Sequence, residues 1–143
     1  MAQSEYLDHL AQIRLFASCN QRELQKIARA TDEVTIESGR VLMQQGERGR
    51  EAFVIIDGTA AVEIGGTHVT EIGPGNAVGE LALLDGGPRT ATVTALTDMK
   101  VLVIDQRAFT SLLDEVPGLA RKILARLAGM VREFDESRFL AQG

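Results

Sequence analysis

The stretch GELALLDGGPRTAT, residues 79–92, interrupts a series of predicted strands with a short helix-like turn and a glycine-rich loop. Backbone N–H groups at the start of a short helix lack partners and attract an anion. Gly79 allows a ligand to approach this backbone closely, and the planar guanidinium of Arg89 matches two phosphate oxygens. The carboxylate of Glu80 only accepts hydrogen bonds, which suits a sugar hydroxyl. The segment therefore predicts a site that binds phosphate and sugar together.

On both sides of this segment, apolar and polar residues alternate in short runs separated by glycines, which is typical of antiparallel strands. Short strands at even spacing favour a roll or a barrel. The predicted strands are 33–37, 40–44, 52–57, 59–64, 67–72, 91–96 and 99–105.

Helical patterns flank the strands at both ends of the chain. Two short helices are predicted within residues 4–30, and Asn20 with Glu23 forms a capping box that opens the second. After Asp105 the helical period returns, and Pro117 lies near the first turn of a longer helix. This last helix has a continuous apolar stripe, which needs a packing partner. The stripe consists of Leu119, Ile123, Leu127, Met130, Val131 and Phe134.

Composition and charge exclude several classes of protein. The net charge of −5 repels nucleic acid, so direct nucleic-acid binding is not expected. The single cysteine, Cys19, excludes an intramolecular disulfide framework and, with no signal-like N-terminus, indicates a cytoplasmic protein. Apolar runs such as 53–56 and 101–104 have four residues each, whereas a membrane span needs roughly 20.

The sequence contains no constellation typical of an enzyme or a metal protein. His9 and His68 are far apart and form no His-x-His pair, so a metal-binding cupin is not favoured. Cys19 with either histidine lacks a third orienting group. The glycines of 73–79 are out of register for a dinucleotide fingerprint, and no parallel βαβ unit surrounds them. We therefore expect no catalytic residues, no metal and no cofactor.

Segment 79–92 resembles the phosphate-binding cassette of the cyclic nucleotide-binding domain family, which includes catabolite activators, kinase regulatory subunits and cyclic nucleotide-gated channels. GELA at 79–82 precedes PRTAT at 88–92 at the family's usual separation. The glycines at 39, 46 and 58 also fall where the family's roll has turns. The similarity covers about residues 10–135. Val78 departs from the pattern, because many members have an aromatic residue there.

The resemblance implies a mixed α+β fold, mainly β: an antiparallel double-stranded, jelly-roll-like β-roll flanked by N-terminal helices and a C-terminal lid helix. We expect residues 1–143 to form one such domain, with the roll at 32–105 and the C-terminal helices at 106–136. The resemblance also implies that Glu80 binds the ribose 2′-hydroxyl and Arg89 the cyclic phosphate. Further implied ligand contacts are Gly79, Leu81, Ala82 and Thr90. The lid contacts to the base are expected among Met130, Val131, Arg132 and Phe134.

These features predict a non-catalytic sensor whose C-terminal helix closes over a cyclic nucleotide. We expect cAMP, with cGMP as the alternative because the Thr90 hydroxyl also suits a guanine amino group. The competing hypothesis is a ligand-free roll that binds a protein effector or forms a homodimer through its apolar last helix, although Glu80 and Arg89 argue against it. The alternative role of Glu80 and Arg89 themselves is a partly exposed structural ion pair. A catabolite-activator-type transcription factor is disfavoured, because fewer than about ten residues follow the lid helix.

Overall fold

The computed structural model describes residues 3–13, 16–79, 83 and 86–142, and for 3–5, 9, 130 and 134–142 it describes the backbone alone. Its helices are α1 (Gln3–Ala11), α2 (Gln21–Ala30), α3 (Gln106–Glu115) and α4 (Pro117–Gln142). Its strands are β1 (Asp32–Ile36), β2 (Val41–Met43), β3 (Glu51–Asp57), β4 (Ala60–Ile64), β5 (Thr67–Ile72), β6 (Ala77–Val78), β7 (Thr92–Ala95) and β8 (Met99–Asp105).

The strands form two antiparallel four-stranded sheets, ordered β1-β8-β3-β6 and β2-β7-β4-β5. One hydrophobic core lies between the sheets and includes Ile55 and Val101 from one sheet and Val93 from the other. A second core lies between the first sheet and the helices, where Leu102 of β8 shares a cluster with Ile27 of α2. The mixed, mainly β roll with flanking helices is confirmed.

The central strands β3 and β8 are covered on both faces, and their apolar composition suits this position. Residues 52–56 of β3 are all buried, and so are three of the four residues 101–104 of β8. A strand buried on both faces needs an unbroken apolar run rather than alternation. These two apolar runs therefore form the middle of the sheet.

The predicted strands agree with the observed strands to within one residue at each end, but β6 was not predicted. This strand has only two residues, which pair with Phe53 and Val54 of β3. An element so short leaves no periodic pattern in the sequence. Because β6 leads directly into Gly79, it positions the start of the predicted cassette.

The helix boundaries follow from local signals in the sequence. The capping box is confirmed: Asn20 Oδ1 accepts from the Glu23 N–H at 2.8 Å, and Glu23 Oε1 accepts from the Asn20 N–H at 2.9 Å. Pro117 is the first residue of α4, as its missing N–H and fixed φ favour.

The apolar stripe of α4 packs on the core only near its N-terminal end. Leu119 and Ile123 are buried, and Leu127 is half-buried against the core. Val131 is 59 % exposed, so the stripe is not covered along its whole length. The side chains of Met130 and Phe134 lie outside the described residues.

Candidate functional site

A cavity of about 280 Å³ lies against the β2-β7-β4-β5 sheet and is bounded by β6 and α4. One end is polar and contains Gly79, Arg89 and Thr90. Another part of the lining is apolar and comes from β4 and β5. A cavity with an apolar wall and a few convergent polar groups is typical of a small-molecule site. The apolar wall consists of Val62, Ile64, Val69 and Ile72.

Among the described residues, Arg89 is the one charged residue that is buried, and its exposed fraction is only 8 %. Its backbone is fixed on both sides, because its N–H donates to the Glu47 carbonyl at 2.8 Å and its carbonyl accepts from the Gly46 N–H at 2.9 Å. Its guanidinium lies over the Phe53 ring, 5.9 Å from the ring centre. Nη1 donates to the Gly79 carbonyl at 3.4 Å. The guanidinium is therefore held in place by packing and by the main chain.

Gly79 makes this arrangement of Arg89 possible. Its φ is +87°, in the left-handed region that favours glycine. A Cβ at this position would lie 2.5 Å from Arg89 Nη1 and 3.1 Å from the Glu51 carbonyl oxygen. The glycine thus leaves room for the guanidinium to approach the main chain, where the sequence analysis expected room for a ligand.

The electrostatics of the cavity favour an anionic group beside Arg89. Burial lowers the pKa of the Arg89 guanidinium, whereas the charges of Glu51 and Glu47 oppose this shift. An arginine stays protonated under any ordinary condition, so the cavity contains a partly desolvated cation. A phosphate oxygen placed here would supply the opposite charge at short range.

Two large apolar side chains of the cavity wall are partly exposed to solvent. Ile64 is 46 % exposed and Val69 is 55 % exposed, although both line the cavity. Exposed apolar surface next to a polar anchor suits a ligand with one flat apolar part, such as a purine.

The structure brings three of the predicted ligand-binding residues together, because Gly79, Arg89 and Thr90 line the same cavity. Glu80, Leu81 and Ala82 lie outside the described residues.

The predicted lid positions lie farther along α4 than the part that reaches the cavity. Val131 and Arg132 are exposed and do not line the cavity. The side chains of Met130 and Phe134 lie outside the described residues. In the described part of α4, Arg126 is the residue that reaches the cavity.

Sequence reasoning missed Arg126. Its Nη2 donates to the carbonyl of Ala77 in β6 at 2.7 Å, so it joins α4 to the strand that precedes Gly79. Arg126 precedes the predicted lid position Met130 by one helical turn, so the two residues lie on the same face of the helix. Its spacing from Met130 could have pointed to Arg126. Which turn of α4 faces the cavity depends on tertiary packing, however, and cannot be predicted from the sequence.

The roll and the cavity with its buried guanidinium are features of a small-molecule-binding domain. In the part of the chain that the structure describes, no group of histidine, cysteine or acidic residues could hold a metal ion. The described helices include none with the length and apolarity needed to cross a membrane.

The family model of the cyclic nucleotide-binding domain matches residues 33–116, and the chain belongs to this family. The chain is 36 % identical, over 126 residues, to a cAMP-dependent protein kinase regulatory subunit from Mycosarcoma maydis, a match that covers 82 % of this chain and 24 % of the relative. The chain thus spans about a quarter to a third of the length of the curated relatives it matches.

Two solved structures have the same roll. The catabolite activator protein of Thermus thermophilus superposes with a TM-score of 0.83 at 26 % identity, covering 90 % of this chain and 62 % of that one. The regulatory subunit of a cAMP-independent protein kinase A from Trypanosoma brucei superposes with a TM-score of 0.79 at 27 % identity, covering 94 % and 49 %. The domain therefore resembles regulatory domains, and these differ in their dependence on cAMP.

Proposed function

We propose that this chain binds a cyclic nucleotide, cAMP in the first place, and acts as a non-catalytic regulatory sensor in the cytoplasm. The observation that supports this most is Arg89, a buried guanidinium fixed at the polar end of a cavity within the family's cassette segment. Burying a cation has a free-energy cost unless an anion compensates it, and a cyclic phosphate is such an anion.

The proposed ligand lies along the cavity, with its phosphate at Arg89 and Gly79 and its base against Ile64 and Val69. The assignment of Glu80 to the ribose 2′-hydroxyl rests on the family resemblance alone. cAMP is preferred because the Mycosarcoma maydis relative is a cAMP-dependent kinase subunit. The cAMP-independent Trypanosoma brucei relative makes the direct comparison of nucleotides essential.

The proposed signal is a change in the position of α4 over the cavity. Arg126 lines the cavity and bonds to the Ala77 carbonyl of β6, so a ligand that contacts this region acts on both elements. A ligand that binds one arrangement of α4 better than another shifts the population toward it. We propose that a protein effector detects this shift.

Calorimetric titration with cAMP, cGMP and AMP tests the proposal. We expect saturable binding of a cyclic nucleotide and much weaker binding of AMP. Arg89→Ala removes hydrogen bonds to a charged group, so affinity should fall by about 10- to 150-fold, which corresponds to about 1.5–3 kcal/mol. The matched control is Arg40→Ala, because Arg40 is exposed and does not line the cavity. Unchanged affinity in folded Arg89→Ala protein would refute the proposed site.

Exposed apolar residues on α4 favour a second candidate, a dimerisation module without a ligand. Leu124 is 65 % exposed, and Val131, two turns farther along, is also exposed. Light scattering over a range of protein concentrations tests this candidate. A dimer that dissociates in Leu124→Glu, together with no heat from any nucleotide, would support it over the sensor.

A further inference from the structure

A cleft that the nucleotide site does not use lies between the start of β3 and the start of α3. Its volume is about 620 Å³, and it is lined by Arg48, Arg50 and Arg107. All three arginines are exposed. Three cations therefore meet in one cleft of a chain whose net charge is −5.

The three guanidinium groups have no partner within the part of the chain that the structure describes. None of them makes a hydrogen bond or an ion pair with a described residue. Asp105 also lines the cleft, but its carboxylate accepts from the Ala108 N–H at 2.8 Å and caps α3. The neighbouring Glu47 and Glu51 act electrostatically on the buried Arg89. The described lining thus has three positive charges and one negative charge.

Hydrogen bonds fix the main chain around the cleft. The Gln106 N–H donates to the Arg50 carbonyl at 3.1 Å, which ties α3 to β3. Gln106 Nε2 donates to the Leu83 carbonyl at 3.4 Å, and Arg48 pairs with Pro88 as an isolated antiparallel bridge. The arginines are therefore presented by a fixed main chain, which lowers the ordering cost of a partner that binds here.

We infer that the Arg48–Arg50–Arg107 cleft is a docking surface for an acidic segment of a partner protein. Guanidinium groups bind carboxylates with two parallel hydrogen bonds, so glutamate and aspartate side chains fit them. The cleft is open and its arginines are exposed, so a small ion would gain little enclosure here. A peptide with several carboxylates engages all three arginines at once, which raises its affinity. The cleft is a local positive patch on a chain of net charge −5, so it suits a short acidic segment better than a long nucleic acid, which the rest of the surface would repel.

Main-chain contacts connect this surface to the proposed nucleotide site. Arg48 pairs with Pro88, which immediately precedes Arg89, and the Glu47 carbonyl accepts from the Arg89 N–H at 2.8 Å. Docking of an acidic segment at this surface does not require a cyclic nucleotide to be bound.

The test uses fluorescence anisotropy of a labelled peptide that contains six glutamates separated by alanine, with the glutamine version as a control. We expect the full chain to bind the glutamate peptide, and the glutamine peptide at least about tenfold more weakly. The charge reversals R48E and R107E together should weaken binding by about tenfold or more. The matched double variant R22E and R40E changes the net charge equally at two other exposed arginines and should stay within about twofold.

Three results would overturn the inference. The first is no binding of the glutamate peptide, and the second is an equal loss of binding in both double variants, which would show nonspecific attraction. The third is displacement of the peptide by inorganic phosphate or by phosphatidylserine vesicles at equal charge concentration, which would indicate a general anion site. Urea unfolding of each variant shows that it is folded. Nucleotide titration is a separate measurement, so failure of the sensor proposal would not alter these outcomes.

Discussion

The substitution Gly79→Ala, compared with a control glycine, tests whether the position of Arg89 determines nucleotide affinity independently of the stability of the roll. The added Cβ would lie 2.5 Å from Arg89 Nη1, whereas ordinary contact begins at 3.4 Å, so the guanidinium must move by roughly 1 Å. Nη1 is the far end of a long side chain, and its hydrogen bond to the Gly79 carbonyl is long at 3.4 Å, so we expect this movement to have a small effect on folding. It displaces the group proposed to bind phosphate, and affinity for cAMP should fall by about tenfold or more.

The matched control is Gly39→Ala. Gly39 has a φ of +90°, close to the +87° of Gly79, but a Cβ there would meet no atom within 4 Å. Both substitutions place alanine in the left-handed region at a cost of about 1–2 kcal/mol. Urea unfolding should therefore give similar losses of stability for the two variants, with a few tenths more at Gly79 from the Glu51 carbonyl contact at 3.1 Å.

Calorimetry with cAMP then distinguishes the two variants. We expect Gly39→Ala to bind as the unchanged protein does and Gly79→Ala to bind about tenfold or more weakly. Equal affinities of the two variants would refute the reasoning that Gly79 sets the position of Arg89. A much larger stability loss at Gly79 alone would show that Arg89 cannot move aside.

Three further predictions concern the fold and the single thiol. Asn20→Ala removes the cap of α2 and should lower the free energy of unfolding in urea by about 1 kcal/mol; no loss would contradict the capping role. Leu102→Ala, at a fully buried position, should cost about 2–5 kcal/mol, whereas the exposed control Leu124→Ala should stay within about 0.5 kcal/mol. Burial raises the pKa of the Cys19 thiol above its ordinary 9.0. The rate of iodoacetamide alkylation should therefore rise with pH through a midpoint above 9.0, and a lower midpoint would contradict this.

Much of the fold was predictable because its signals are local. The capping box at Asn20, the proline that opens α4 and the apolar runs of β3 and β8 each appear within a few residues of sequence. β6 was not predictable, since two residues are too few for a pattern and their pairing with β3 depends on the completed sheet.

The candidate site was predictable at its polar end and not at α4. Arg89 and Gly79 belong to one sequence segment, so their association follows from the local motif. The hydrogen bond from Arg126 to the Ala77 carbonyl connects residues 49 positions apart. It depends on how far α4 extends across the roll. The placement of the Arg48–Arg50–Arg107 cleft is likewise a property of the assembled fold, because Arg107 reaches the other two only when α3 packs beside β3.

The burial of Arg89 has a consequence for the evolution and engineering of this domain. Burial lowers the pKa of its guanidinium, which means that the folded state disfavours this charge relative to the unfolded chain at neutral pH. Replacement by an apolar residue of similar length, such as Arg89→Met, should therefore leave the fold as stable as before or make it more stable. Selection for thermal stability alone would not favour this arginine, so its retention in a variant library would report selection for ligand binding.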